Sequence, residues 1–142
     1  MSQIVCSGGL FLAKDTQRFL LLLRAQGKTA GTWGLVGGKK EPGDITPIDT
    51  LNREISEEVG KSPRISKTVP LEWYSSRDDS FYYHTYVLIV EQEFIPQLND
   101  EHIGYAWVDL HAWPRPLHSG LKNTLNSKTI KGKLQTILDV IG

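Results

Sequence analysis

The sequence has little of what would link the chain to a disulfide framework, a charged polymer or a membrane. Cys6 is the single cysteine among 142 residues, so no disulfide can form within the chain. Sixteen Lys and Arg residues balance sixteen Asp and Glu residues, which argues against binding to long nucleic acid or an acidic membrane by bulk charge. The longest uninterrupted apolar run, residues 19–23, is far too short to cross a bilayer. These absences favour a cytoplasmic protein that is not held at a membrane.

The length and composition predict one domain over residues 1–142. Hydrophobic residues make up 39% of the chain, which is enough to bury a core and atypical of a disordered chain. The apolar stretch at 4–12 has no basic segment ahead of it, and Lys14 and Asp15 follow it directly. We therefore interpret it as a strand and not as a signal peptide.

The hydrophobic pattern predicts a mixed α/β fold, with a mixed sheet covered by helices on its faces. The segment 34–44 contains five glycines or prolines and is predicted to be a loop. A β-bulge is predicted at Gly8-Gly9, and Pro70 predicts an edge or a bulge in its strand. Strands are predicted over 4–12, 19–24, 65–73, 81–91 and 106–108, and helices over 47–59, 118–125 and 130–141.

The helix predicted over 47–59 has recognisable ends and two different faces. Thr46 precedes Pro47 as an N-cap, and Gly60 is placed to end the helix. The apolar stripe that we expect to pack on the sheet consists of Ile48, Leu51, Ile55 and Val59.

An acidic stripe lies roughly a third of a turn away from the apolar one. Glu54, Glu57 and Glu58 are three and four residues apart, so they project from one side of the helix. Such crowded carboxylates raise each other's pKa, and a hard divalent cation compensates for the repulsion. Magnesium typically shares a few carboxylates with substrate phosphates, which favours phosphoryl chemistry. The alternative is a solvated acidic face, and the neighbouring glycine-rich loop favours the metal site.

Together, the segments 37–44 and 53–60 resemble the Nudix box, Gly-x5-Glu-x7-Arg-Glu-U-x-Glu-Glu-x-Gly-U, in which U is a bulky aliphatic residue. The match runs from Gly38 to Lys61, about a sixth of the chain. Trp33, shortly before the loop, and the run 101–109 are also similar to the family. The resemblance implies a Nudix-type α/β/α sandwich with a mixed central sheet.

Four departures from the pattern leave the helix carboxylates in place. Asp44 replaces the usual Glu, and eight residues instead of seven separate it from Arg53. Lys61 replaces an aliphatic residue, and Val36 stands where a proline is common. The insertion precedes the helix, so we expect a shifted loop and an intact acidic stripe. The shorter Asp44 side chain puts its contact with Arg53 in question.

The resemblance implies that Glu54, Glu57 and Glu58 bind Mg²⁺, with Mn²⁺ as a possible substitute, and act in catalysis. It also implies that Arg53 orients a neighbouring carboxylate and that Gly38 allows the loop to approach closely. Family members often use a further Glu on a loop before a Trp-containing strand. Glu101, six residues ahead of Trp107, is the candidate for this extra ligand or base. A surface position for Glu101 is the alternative, and Asp100 is the second choice.

Other residues could contact the substrate, although each has a simpler structural alternative. Lys39, Lys40 and Arg24 could bind phosphates, or be solvated on the surface. Aromatic side chains could stack on a base, or pack in the core. Strand alternation groups Tyr83 with Phe81 and Thr85, so at most one face of that strand lines a cleft. The candidates for stacking are Trp33, Tyr82, Tyr83 and Tyr86.

The function implied by the resemblance is hydrolysis of a nucleoside diphosphate linked to another group. ADP-ribose-like compounds, dinucleoside polyphosphates and nucleoside triphosphates all remain open as substrates, because no subgroup motif is matched. The resemblance also allows a homodimer. Two alternatives are a non-catalytic nucleotide sensor on the same fold and a partner-binding domain with an incidental acidic face. The complete set of helix carboxylates favours the enzyme.

Overall fold

The computed structural model describes residues 3–142, which form seven strands and three helices. In chain order they are β1 (Ile4–Ala13), β2 (Arg18–Arg24), β3 (Trp33–Gly34), β4 (Val36–Lys39), α1 (Pro47–Glu58), β5 (Lys67–Ser75), β6 (Phe81–Val90), β7 (His102–Val108), α2 (Ser119–Asn126) and α3 (Lys128–Ile141). No helix in this part of the chain is long and apolar enough to span a membrane.

The strands form one mixed sheet with β1 near its centre. β1 runs parallel to β6 over its whole length, and β5 lies antiparallel to β6 at the outer edge. On its other side β1 diverges from β2. Only its last two residues pair with β2, while Cys6–Gly9 pair with β4. β2 also pairs with β3 and β7. The short strand β4 therefore lies beside β1 where β2 has turned away.

Helices cover both faces of the sheet, which confirms the predicted sandwich. Alternate residues of β1 face opposite sides, so that Phe11 packs toward α1 while Leu10 and Leu12 pack toward α2 and α3. On the α1 side, Leu51, Ile55 and Val59 are buried against the sheet. On the other side, the buried helix residues are Leu121, Leu125, Ile130, Leu134 and Leu138.

The predicted strands and helices are present, but three local predictions are wrong. The segment 34–44 is not all loop, because it contributes to β3 and forms β4. The pairing of β4 depends on β1, thirty residues earlier in the chain, which local composition does not record. Ile48 is 36% exposed because it lies in the first turn of α1 at the margin of the covered surface.

The third wrong prediction concerns Gly8 and Gly9, where β1 has no bulge. Its register with β6 is unbroken from Ile4 to Ala13. A Cβ at Gly8 would collide with the ring of Tyr83, and a Cβ at Gly9 would collide with Leu88. These glycines admit large neighbouring side chains. The bulge predicted at Pro70 is present, since the register shifts between Pro70 and Glu72.

Candidate active site

The acidic stripe of α1 lies directly against the glycines of β4. The backbone N–H of Gly37 donates a hydrogen bond of 2.9 Å to Oε1 of Glu58. Gly38 is in contact with the Glu54 carboxylate, and a Cβ at position 38 would lie only 2.5 Å from Oε2 of Glu54. The close approach expected at Gly38 is therefore present, and it places two carboxylates of α1 against the backbone of β4.

The start of α1 is fixed by its own side chains. The Thr46 hydroxyl accepts a hydrogen bond from the Asp49 backbone N–H, and the Asp49 carboxylate accepts one from the Thr46 N–H. This reciprocal capping box confirms Thr46 as the N-cap. Gly60 follows the helix with a φ of +74°, a conformation that glycine adopts without strain.

Arg53 joins the loop after β4 to the carboxylates of α1. Its guanidinium donates to Asp44 at 3.0 Å and to Glu54 at 2.8 Å. Asp44 also accepts from the Thr50 hydroxyl and from the Glu41 backbone N–H, so it is fully engaged despite its shorter side chain. The inserted residue has not separated Asp44 from Arg53. The remaining contacts of Arg53 are with Glu57 at 2.9 Å, Glu41 at 3.1 Å and the carbonyl of Lys39 at 2.7 Å.

Burial makes Glu54 and Glu58 unusual carboxylates. Burial raises the pKa of Glu58 well above its ordinary value. The hydrogen bond from Gly37 lowers this pKa, whereas repulsion from Glu54 raises it further. Burial also raises the pKa of Glu54, although Arg53 opposes the shift. Glu57 is different, because its side chain is 46% exposed. The acidic stripe thus combines two buried carboxylates with one that faces solvent.

These residues have the chemistry of a site for a hard divalent cation. Buried, mutually repelling carboxylates are stabilised by a cation, and oxygen donors are the ligands that Mg²⁺ prefers. In the conformation observed, no three His, Cys, Asp or Glu side chains among residues 3–142 are grouped as they would be around a metal ion. The guanidinium of Arg53 supplies the positive charge among them instead.

Glu101 lies on the loop before β7, on the side of α1 that carries Glu58. Asn99 connects the two elements, since its amide donates to the backbone carbonyl of Glu57 at 2.9 Å and to Oε2 of Glu101 at 3.3 Å. Repulsion from Glu101 is also among the causes that raise the pKa of Glu58. The side chain of Glu101 is exposed.

A cavity of about 680 Å³ opens on the α2 side of the sheet. Gly37 and Gly38 form part of its wall, so a ligand inside it can reach the strand against which Glu54 and Glu58 pack. Phe81, Tyr83 and Thr85 also line it, which confirms that only one face of β6 lines a cleft. Trp33 packs against the core instead, and Tyr86 is buried on the α1 side of the sheet.

The predicted phosphate-binding residues divide between two surfaces. Arg24 lines the cavity, and its Nε donates to the Thr29 hydroxyl at 2.6 Å. Lys39 and Lys40 lie outside it, in a second concavity of about 440 Å³. Arg24 is thus the one of the three that lines the same cavity as Gly37 and Gly38.

Several cavity residues were not predicted from the sequence. Glu72 and Tyr74 come from β5, and His118, Asn123 and Thr124 come from α2 and its N-cap. Single polar residues in a strand or a short helix carry no periodic signal. The bulge predicted at Pro70 was the one available indication that side-chain alternation changes in β5.

The fold and the site together define an α/β/α sandwich in which an acidic helix packs against a glycine-containing strand. Comparison with known proteins gives the family. The NUDIX domain model matches residues 6–127, and the chain belongs to this family. Family membership supports hydrolase activity. No curated protein sequence matches the chain significantly.

Solved structures share the fold at low sequence identity. The MutT NUDIX hydrolase from Burkholderia pseudomallei is 23% identical with a TM-score of 0.67, and the match covers 90% of this chain and 99% of that chain. The NUDIX domain of Shewanella oneidensis NrtR, complexed with ADP ribose, is 17% identical with a TM-score of 0.71, covering 94% and 90%. An Ap4A hydrolase from C. elegans is 16% identical with a TM-score of 0.64, covering 97% of each chain.

Proposed function

We propose that this protein is a divalent-metal-dependent pyrophosphohydrolase that acts on a nucleoside diphosphate linked to another group. The observation that carries the proposal is the buried pair Glu54 and Glu58, held against Gly37 and Gly38 at the wall of a cavity large enough for a nucleotide. Two buried carboxylates that repel each other cost stability unless a ligand uses them.

Each residue of the site has a proposed role. Glu54, Glu57 and Glu58 hold Mg²⁺, or Mn²⁺ in its place, and Glu101 provides a further ligand or accepts the proton from the attacking water. When bound, the cation supplies positive charge that offsets the charge developing on the phosphate oxygens. Arg53 keeps Glu54 and Glu57 oriented through its two hydrogen bonds.

The glycines of β4 and the cavity position the substrate. Gly38 lets the loop and the Glu54 carboxylate lie together without an intervening side chain. Arg24, which lines the cavity, binds a phosphate oxygen. Water attacks one phosphorus, the bridging P–O bond breaks, and two products carrying phosphate leave. Lys39 and Lys40 lie outside the cavity and serve as accessory charges for a substrate that extends beyond it.

The test is a panel of ADP-ribose, dinucleoside polyphosphates, sugar nucleotides and nucleoside triphosphates, incubated with the protein and Mg²⁺. The titles of the similar structures, which name ADP ribose and Ap4A, support including both classes. Products are identified by mass spectrometry, and we expect cleavage of one pyrophosphate bond. Glu57→Gln should abolish turnover because it removes a ligand while its exposed position spares the fold.

The matched control is Glu41→Gln. Glu41 also contacts Arg53, at 3.1 Å, but it lies in the loop and not on α1. Its replacement should leave most of the activity. Turnover that survives Glu57→Gln would contradict the metal role of the acidic stripe. Nucleotide binding without turnover, in both Mg²⁺ and Mn²⁺, would favour the alternative function of a nucleotide sensor.

A further inference from the structure

The cavity contains a carboxylate that the proposed reaction does not use. Glu72 lies on β5, on the far side of the cavity from the acidic stripe of α1, and its side chain is half-buried. Carboxylates in substrate pockets are costly to desolvate and are retained where they bind a donor. None of the ion pairs among residues 3–142 involves Glu72.

The bulge in β5 is what turns Glu72 into the cavity. Val69 and Leu71 pack toward α2 and α3, so regular alternation would place Glu72 on the opposite face. The register shift between Pro70 and Glu72 brings Glu72 opposite Thr85, a residue of the cavity wall. A bulge commonly redirects one side chain toward a functional site.

The Glu72 carboxylate is also held in a fixed orientation. The Thr124 hydroxyl of α2 donates to its Oε1 at 2.7 Å. The nearby ammonium of Lys133 is directed elsewhere, to the backbone carbonyl of Leu71 at 3.0 Å. An ionised carboxylate accepts at about four lone-pair positions. Oε2 and part of Oε1 therefore remain able to accept hydrogen bonds from a ligand.

An aromatic wall lies next to this carboxylate. The rings of Tyr74 and Phe81 are 6.2 Å apart, and those of Phe81 and Tyr83 are 6.3 Å apart. Such rings provide a surface on which any nucleobase can stack, so they do not select among bases. Selection then depends on the polar group beside them, which is the Glu72 carboxylate.

We infer that Glu72 determines base specificity and selects guanine nucleotides. This inference rests on the proposed function. Guanine presents two adjacent N–H donors, N1–H and N2–H, to which both oxygens of a carboxylate can pair. Adenine presents one donor beside an acceptor nitrogen, which a carboxylate repels. A site built around hydrogen bonds rejects analogues that leave its polar groups unpaired.

The test measures binding separately from turnover. Methylene-bridged analogues of GTP and ATP are titrated calorimetrically in Mg²⁺ and, separately, in EDTA. The wild-type protein should bind the guanine analogue about ten- to a hundredfold more tightly, the range expected for a bidentate pair. Glu72→Gln keeps the acceptor for Thr124 but offers one donor and one acceptor, which matches adenine. The preference should therefore reverse in this variant.

Two further variants complete the test. Glu91→Gln makes the same chemical change on an exposed residue outside the cavity and should leave the preference unchanged. Glu72→Asp keeps the carboxylate and should retain the guanine preference with weaker binding. If Glu72→Gln does not fold, as judged by circular dichroism, the wild-type ratio and Glu72→Asp decide the question.

The possible failures are distinguishable. Binding of both analogues by the wild type with equal affinity overturns the inference and leaves the proposed function standing. An unchanged preference in Glu72→Gln has the same meaning, and it would show that Glu72 only connects β5 to α2 through Thr124. Absence of binding to either analogue, together with absence of turnover, would overturn both.

Discussion

Gly38 in β4 and Asp44 in the loop between β4 and α1 hold the acidic side of the site by different physical means. Gly38 acts through the space it leaves, because the Glu54 carboxylate occupies the position of the missing side chain. Asp44 acts through charge and hydrogen bonding, as it anchors Arg53, Thr50 and the Glu41 backbone together. Each can be tested by one substitution.

Gly38→Ala is expected to reduce the hydrolysis rate about 100-fold, the loss typical of a displacement near 1 Å in an active site. A Cβ at position 38 would lie 2.5 Å from Oε2 of Glu54, so the carboxylate must move. Gly43→Ala, in the loop that follows β4, is the matched control because nothing lies within 4 Å of its Cβ position. Equal rates for the two variants would contradict the proposed arrangement.

Asp44→Asn is expected to lower stability at neutral pH, with an effect that disappears in acid. The Arg53 guanidinium, with the Glu41 N–H, holds the pKa of Asp44 at about 2, below its ordinary value of 3.8. The stabilisation is therefore present above pH 3.8 and is lost as the pH falls toward 2. Urea unfolding of both proteins between pH 2 and pH 7 checks this. A difference that stays constant with pH would contradict it.

Among the elements, α1 carries the most chemistry, and its start is defined by the capping box of Thr46 and Asp49. Thr46→Ala should lower the free energy of unfolding by about 1 kcal/mol, since one backbone donor loses its partner. The measurement is the urea midpoint at constant m-value. Ile45→Ala, at a neighbouring position that is 85% exposed, is the control and should change stability by less than about 0.5 kcal/mol. A loss no larger than that of the control would contradict the capping role.

The sequence predicted the elements whose signals are local. Thr46, Pro47 and Gly60 defined the ends of α1, and the alternation in β6 grouped Tyr83 with Phe81 and Thr85, although it did not say which face lines the cavity. It did not predict β4, because a short glycine-containing strand is stabilised by pairing with β1 and by contact with α1. Nor did it place Glu72 in the cavity. That position depends on a one-residue shift in pairing between β5 and β6, whose consequence appears only when α2 is packed above it.

At the scale of the whole molecule, one sheet connects two hydrophobic clusters. Adjacent residues of β1 and β6 contribute to opposite clusters, as Val87 and Leu88 do. A change in either cluster therefore moves strands that the other cluster needs. The acidic site belongs to the α1 side and the cavity to the α2 side. The proposed reaction therefore requires the helices on both faces to be packed on the sheet.

Unfolding should accordingly be a single cooperative transition over the chain. Leu51 belongs to the hydrophobic cluster on the α1 side of the sheet, and Leu134 belongs to the cluster on the α2 and α3 side. Leu51→Ala and Leu134→Ala each remove a fully buried side chain, and each should lower the free energy of unfolding by about 2–5 kcal/mol. Far-ultraviolet circular dichroism and tryptophan fluorescence should report the same midpoint in each variant. If Leu134→Ala instead produced two transitions and left the α1 side at its wild-type midpoint, the two layers would be separate folding units. A single shared midpoint in both variants would mean that β4, the acidic helix and the cavity are stabilised together, because the sheet that joins them cannot lose one face and keep the other.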